Sequence, residues 1–166
     1  MPSFYIKQKI FSLVDNYVVY DQQGNEVFRV AGRFFSIPKK LDIFSQATNQ
    51  LLYTLQWKIF RLLPTFTLLD GFGNQVALIR KRFSLLRPVI DIESHFGEFT
   101  LEGEIFAHQF QLIQNGFVKA SIAKKWFSLG DAYELDIQAS ENIEFYVALL
   151  ISIDQAIHEQ KNSHHS

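Results

Sequence analysis

No cysteine occurs anywhere in these 166 residues, so no disulfide, thiolate metal site or Cys nucleophile is available to the chain. Neither charge is in excess: 16 basic residues stand against 17 acidic ones, a formal net charge of −1. Binding to an anionic surface would need local segregation of charge, and no nucleic-acid partner is expected from these totals. No apolar run approaches the ~20 residues that cross a bilayer as a helix. The longest extends from Phe145 to Ile153 and is broken by Ser152, which suits a buried core helix. The opening Met1-Pro2-Ser3-Phe4-Tyr5-Ile6-Lys7 has no apolar signal-peptide core, which makes a reducing cytoplasm the default compartment.

Catalytic signatures are also missing. There is no Gly-Xaa-Ser-Xaa-Gly elbow and no phosphate-cradling glycine loop. The five histidines, His95, His108, His158, His164 and His165, show no zinc-helix spacing. Asp70-Gly71-Phe72-Gly73-Asn74 has the look of a calcium loop but lacks the later acidic ligands, so it reads as a hairpin turn. Asp154 would be partly buried at the end of an apolar helix, where it must find a partner. A general base and an acceptor for rim amides or a rim Lys or Arg are the two readings, the second favoured because no nucleophile pairs with it. No catalytic residue, metal or cofactor is expected, and the chain is not expected to be an enzyme.

What the chain does have is repetition and aromatic bulk. Hydrophobic residues make up 48% and 17 residues are Phe, which suits sheets with bulky inward faces. A basic residue, any residue, then Phe-Ser recurs as Lys9-Ile10-Phe11-Ser12, Arg33-Phe34-Phe35-Ser36, Lys81-Arg82-Phe83-Ser84 and Lys125-Trp126-Phe127-Ser128. Degraded copies, Lys58-Ile59-Phe60-Arg61 and Glu104-Ile105-Phe106-Ala107, fill the gaps, giving steps of 24, 25, 23, 23 and 21 residues. A near-constant step means one supersecondary unit repeated. Between the phrases lie Gly- and Asn-rich turn signals, as in Asp21-Gln22-Gln23-Gly24-Asn25, flanked by runs of β-branched and aromatic residues.

The pattern predicts twelve strands, at 5–10, 16–21, 26–35, 39–45, 50–59, 64–70, 75–83, 88–94, 98–105, 108–114, 117–126 and 132–138. They make six hairpin units in an up-and-down meander. A meander this long exposes two edges unless it closes, so the expectation is a mainly β fold, a closed antiparallel barrel. Residues 141–160 read as a helix, with Ser140 as N-cap and Glu141 in the first turn. Its middle is apolar on every face and must be buried. A twelve-stranded barrel is too wide for its own side chains to fill, so the helix is placed through its centre. Residues 1–160 form one domain on this reading, with 161–166 a flexible polar tail.

The chain resembles the LURP-one-related proteins of the tubby C-terminal-like superfamily. The resemblance lies in Ile6-Lys7-Gln8-Lys9-Ile10-Phe11-Ser12-Leu13, in Ala123-Lys124-Lys125-Trp126-Phe127-Ser128 followed by Asp131 and Tyr133, and in Ala148-Leu149-Leu150-Ile151-Ser152-Ile153-Asp154. It implies a twelve-stranded barrel around a central apolar helix. Superfamily relatives include phosphoinositide-binding tubby domains and phospholipid scramblases.

In an up-and-down barrel every phrase ends the ascending strand of its unit, so all six belong to one rim. That rim would collect Lys9, Arg33, Lys39, Lys40, Lys58, Arg61, Arg80, Lys81, Arg82, Arg87, Lys124 and Lys125, 12 of the 16 basic residues. The other would hold Asp21, Glu26, Asp70, Glu93, Glu141 and Glu144. The candidate binding residues are Lys39, Lys40, Arg80, Lys81, Arg82, Lys124 and Lys125, donors suited to a phosphate group. The competing account is that strand ends are simply where solvated charges go. The recurrent Phe, with Trp57 and Trp126, is expected to be core packed around the helix. The function expected is a cytoplasmic binding module, peripheral to a membrane or not, whose partner is an anionic phospholipid or a phosphorylated protein. Scramblase-like handling of phospholipid is the alternative and an enzyme the third.

Overall fold

The structure, a computed structural model, describes residues 2–8, 16–33, 35–59, 61–82, 89–104, 109–127, 130–138 and 141–162. Among them are twelve strands and one helix. The strands are β1 (Ser3–Gln8), β2 (Tyr17–Tyr20), β3 (Glu26–Arg33), β4 (Lys40–Ser45), β5 (Leu51–Trp57), β6 (Thr65–Asp70), β7 (Gln75–Arg82), β8 (Val89–Ser94), β9 (Gly97–Glu104), β10 (Gln109–Gln114), β11 (Phe117–Phe127) and β12 (Gly130–Ile137). Each strand pairs antiparallel with its chain neighbours, and β1 pairs with β12 to close the barrel, from Ser3 opposite Asp136 to Lys7 opposite Ala132. Closure removes both free edges. The strand count, the meander and the closure are those the repeat predicts.

The alternation of small and large exposure along each strand follows the pleat. In β7, Ala77 and Ile79 are buried while Arg80 and Arg82 are exposed. In β2, Tyr17 and Val19 are buried. Four of the hairpins carry a register shift just before the turn, between Val19 and Tyr20, Ile43 and Phe44, Leu68 and Leu69, and Leu112 and Ile113. Bulges at equivalent places sharpen the twist that closes a barrel.

The interior is filled by α1 (Ile143–Asn162). Every residue from Phe145 to Ile157 is buried, including Ser152, whose hydroxyl donates to the Ala148 carbonyl at 2.7 Å. The helix enters beside the short hairpin turns, where the Phe145 ring meets Phe96 at 4.6 Å between centroids. It leaves beside Tyr17, where β2 begins, and there Gln155 Nε2 donates to the Tyr17 hydroxyl at 3.4 Å. Its ends differ from those expected. Ser140 lies outside the described residues; Asn142, at φ 58°, precedes the first turn, and its carbonyl accepts the Tyr146 amide at 3.2 Å. Glu144, not Glu141, is the acid of the first turn, where it faces the positive pole of the helix. Among the described residues the helix runs to Asn162.

Two turns on this rim share one construction. Asp21 Oδ1 accepts the amides of Gln23 and Asn25 at 2.9 and 2.8 Å, and Asp70 Oδ1 accepts those of Phe72 and Asn74 at 2.9 and 2.8 Å. Asp70 therefore spends its carboxylate inside a hairpin turn. Hydrogen bonds from the Asn25 and Asn74 side chains, then from turn amides, hold both carboxyls below the ordinary aspartate range. A folded-state value below the unfolded one stabilises the fold above the unfolded value, near pH 4, and that gain disappears as pH falls through the folded value. Wild-type melting temperature should thus fall more steeply below about pH 4 than that of an Asp21→Asn/Asp70→Asn variant, which keeps one acceptor oxygen for the turn amides but loses the charge and the Oδ2 acceptor of the Asn25 and Asn74 side chains. Parallel acid limbs in a thermal-melt series would contradict this.

Candidate functional site

The odd-numbered strands all end at the same rim, which therefore holds the described parts of the phrases, among them Arg33, Lys58, Lys81, Arg82, Glu104 and Lys125. The buried helix delivers its C-terminal end to that rim, with the negative pole of its dipole. Cations around the mouth therefore have a structural use before any ligand is considered.

Strand alternation sorts these cations into two sets. Arg33, Arg80, Arg82 and Lys125 stand on the outer wall and each meets a carboxylate across the sheet. Arg33 Nε lies 2.5 Å from Asp42, which also accepts the Thr54 hydroxyl at 2.7 Å. Arg82 reaches Asp91 at 2.7 Å, and Lys125 reaches Glu134 at 2.8 Å. The Lys125 ammonium lowers the Glu134 pKa, and Glu134 in turn raises those of Lys125 and Tyr5 by accepting their hydrogen bonds. Arg80 is ion-paired to Glu93. Arg80 is therefore part of the wall, two residues before its strand end, and is paired with an acid that the sequence assigns to the opposite rim. A side chain extended along the strand lets Arg80 reach past its direct partner Asp91.

The second set follows the inward register. Lys81 continues the inward row of Ala77 and Ile79 and stands opposite buried Ile90. It is half-buried with no ion pair among the described residues, and burial pushes its ammonium pKa down. Lys124 follows Ala120 and Ile122 in the inward row and stands opposite buried Tyr133. Lys39 lies with its ammonium 4.6 Å from the centre of the Trp57 ring, itself buried as expected. Lys40, by alternation with buried Leu41, faces outward between Arg33 and Gln56. The seven candidates therefore do not form one patch. Arg80, Arg82 and Lys125 belong to wall ion pairs, and Lys39, Lys81 and Lys124 are spread around the mouth on well-separated strands. Lys9 and Arg87 lie outside the described residues.

The expected Phe girdle needs correction where it can be seen. Phe35 is fully exposed. Phe11, Phe34, Phe60, Phe83 and Phe106 lie outside the described residues, as do the side chains of Trp126 and Phe127. In this copy of the phrase the strand ends at Arg33, the Ser36 amide turns back to the Arg33 carbonyl at 3.5 Å, and Phe35 is no longer part of the inward row. Ile37, Ile59 and Leu62, in the same and the adjacent connection, are also exposed. None of these was singled out as a site residue. The signal that would have found them is an apolar residue in a short proline-containing connection with basic and no acidic neighbours.

The LURP-one-related family model matches residues 3–154. The chain belongs to the LURP-one-related family. It is 30% identical over 162 residues to the uncharacterised protein YxjI of Bacillus subtilis strain 168, with 98% of each chain covered. The X-ray structure of a protein from Arabidopsis thaliana superposes with a TM-score of 0.62 at 13% identity, covering 92% of this chain and 90% of that one. At that identity the shared property is the fold.

A cavity of about 10 Å³ lies between Ile6, Tyr17, Ile122, Tyr133, Ile151 and Asp154, room for about one water. Asp154 is buried and lines it, next to two phenols. Among the described residues no group of three His, Asp or Glu stands close enough to hold a metal. No helix among them is long and apolar enough to cross a membrane.

Proposed function

We propose that this LURP-one-related chain is a non-catalytic cytoplasmic binding module that takes an anionic, phosphate-bearing group at the phrase rim. The observation that carries the reading is the contrast between Lys81 and the wall cations. Arg33, Arg80, Arg82 and Lys125 each have a carboxylate. Lys81 is half-buried with none among the described residues. A partly desolvated ammonium costs free energy unless an anion meets it, and a bound phosphate oxygen would supply that charge.

Titration with soluble inositol trisphosphate at low salt tests this. Binding is expected to weaken with added salt, and Lys81→Gln should weaken it roughly tenfold or more, the loss of one charge-assisted hydrogen bond. Arg80→Gln, on the wall, should leave it unchanged. Failure of the wild type to bind inositol trisphosphate or any anionic vesicle at low salt would refute the reading.

A further inference from the structure

The connections between β3 and β4 and between β5 and β6 lie side by side on the phrase rim, because β3, β4, β5 and β6 are consecutive neighbours in the barrel. The Trp57 amide donates to the Lys39 carbonyl at 3.1 Å and ties their bases together, and the Lys58 amide donates to the Thr65 carbonyl at 2.8 Å and closes the second connection at its base. Within the first loop, the Ser36 hydroxyl donates to the Pro38 carbonyl at 2.8 Å. From this braced base Phe35, Ile37, Ile59 and Leu62 project into solvent, Ile37 at 90% exposure and Phe35 and Leu62 fully exposed. One exposed apolar side chain is ordinary; four on two adjoining loops mark an interaction surface. The composition of the loops is equally one-sided. Residues 34–40 and 58–64 contain Lys39, Lys40, Lys58 and Arg61 and no Asp or Glu.

The geometry points to insertion of these two loops into the surface of an anionic bilayer. Phe35, Ile37 and Leu62 enter the boundary between headgroups and acyl chains, and the four cations face the phosphates. Charge complementarity selects the partner. A carboxylate in either loop would be repelled by an anionic surface, and none is present. Phe35, Ile37 and Leu62 are also almost wholly surrounded by solvent. A bilayer receives separate protruding side chains without needing a shaped receptor, whereas a protein would need a cup for each. Their apolar contribution adds to the electrostatic one, the two-signal arrangement that peripheral attachment needs. This inference rests on the anion-binding reading of the same rim and requires more of it, since a soluble headgroup would not need the apolar tips.

The test uses vesicles of phosphatidylcholine with and without phosphatidylserine. The wild type is expected to co-sediment only with the anionic ones. A Phe35→Ser/Ile37→Ser/Leu62→Ser variant should bind them at least roughly tenfold more weakly, given the apolar area withdrawn. It should keep the wild-type melting temperature and the wild-type affinity for inositol trisphosphate, because these side chains are not core. Since the chain has no cysteine, Leu62→Cys and Phe72→Cys can each carry one environment-sensitive dye. Phe72 is as exposed as Ile37, at 91%, but sits on the opposite rim beside Asp70. The dye at 62 should shift to the blue and be quenched from within the bilayer, and the dye at 72 should not. Wild-type vesicle affinity in the triple serine variant, or a water-like dye at 62 on bound vesicles, would overturn insertion and leave the anion site standing. So would binding of inositol trisphosphate without vesicle binding. Loss of both kinds of binding would sink both readings.

Discussion

A chain lacking residues 143–162 is expected to collect in the insoluble fraction, or to remain in solution without a cooperative thermal transition. Thirteen consecutive residues, Phe145 to Ile157, are buried in the barrel. Their partners are the inward rows of the strands: Leu41, Ile43, Leu55, Phe66, Leu68, Ile79, Leu112, Ile122, Leu135 and Ile137 are all at most 2% exposed. Without the helix those rows would face a lumen too wide for them to close across and would meet water. Smaller changes should scale with the same cause. Leu149→Ala or Leu150→Ala, each 0% exposed, should cost about 2–5 kcal/mol by the cavity each leaves. Chemical denaturation with circular dichroism reads both effects. A truncated barrel that stays soluble and melts in one sharp transition would show that the strands close without their plug.

Gly103→Ala should be nearly as damaging although it adds a single methyl group. Gly103 sits at φ +123°, a region that L side chains rarely adopt. A Cβ there would stand 2.5 Å from the Gln109 carbonyl oxygen and 3.0 Å from the Phe110 Cα, both backbone atoms of β10. Backbone held in a ladder cannot swing aside as a flexible side chain can. Separating β9 from β10 would also disturb the register that places Phe110 and Leu112 inward. Backbone strain and overpacking together give about 3 kcal/mol or more. In a domain of this size that is a fall of roughly 10 °C in melting temperature. The control is Gly116→Ala, at φ +79° with open space around it, which pays the strain without the clash. Equal melting temperatures for the two variants would remove the argument from close approach.

The barrel was legible because its signals are local and repeated. The step of the Phe-Ser phrases counts the hairpins, the Gly and Asn clusters mark the turns, and an odd strand must end where its phrase stands. The helix was legible because a stretch such as Phe145 to Ile151, apolar on every face, can be buried inside a closed barrel too wide to fill itself. Its caps were less so, since Ser140 and Asn142 are both capping types two residues apart and only the surrounding chain path chooses between them.

The candidate site was legible in part. That basic residues gather at the phrase rim follows from strand direction. Which of them are already neutralised does not, because Arg80 with Glu93 and Lys125 with Glu134 are pairs made by cross-strand register. Strand alternation does contain the inward placement of Lys81, two residues after Ile79. Phe35 misled for a different reason. Its phrase has the same basic-Xaa-Phe-Ser pattern as three sister copies, yet β3 ends at Arg33 and Phe35 is left exposed.

The amino-acid sequence by itself determined the number of strands, their up-and-down order, the single rim at which every odd strand ends and the burial of the last helix. Each of these depends on periodicity and turn chemistry within a few residues. Tertiary structure decided the rest: which cations meet carboxylates, which turn towards the mouth, and which apolar side chains are left outside on adjoining loops. Those outcomes depend on the register between strands and on where each connection leaves the wall, contacts between residues far apart in the chain that no local pattern encodes.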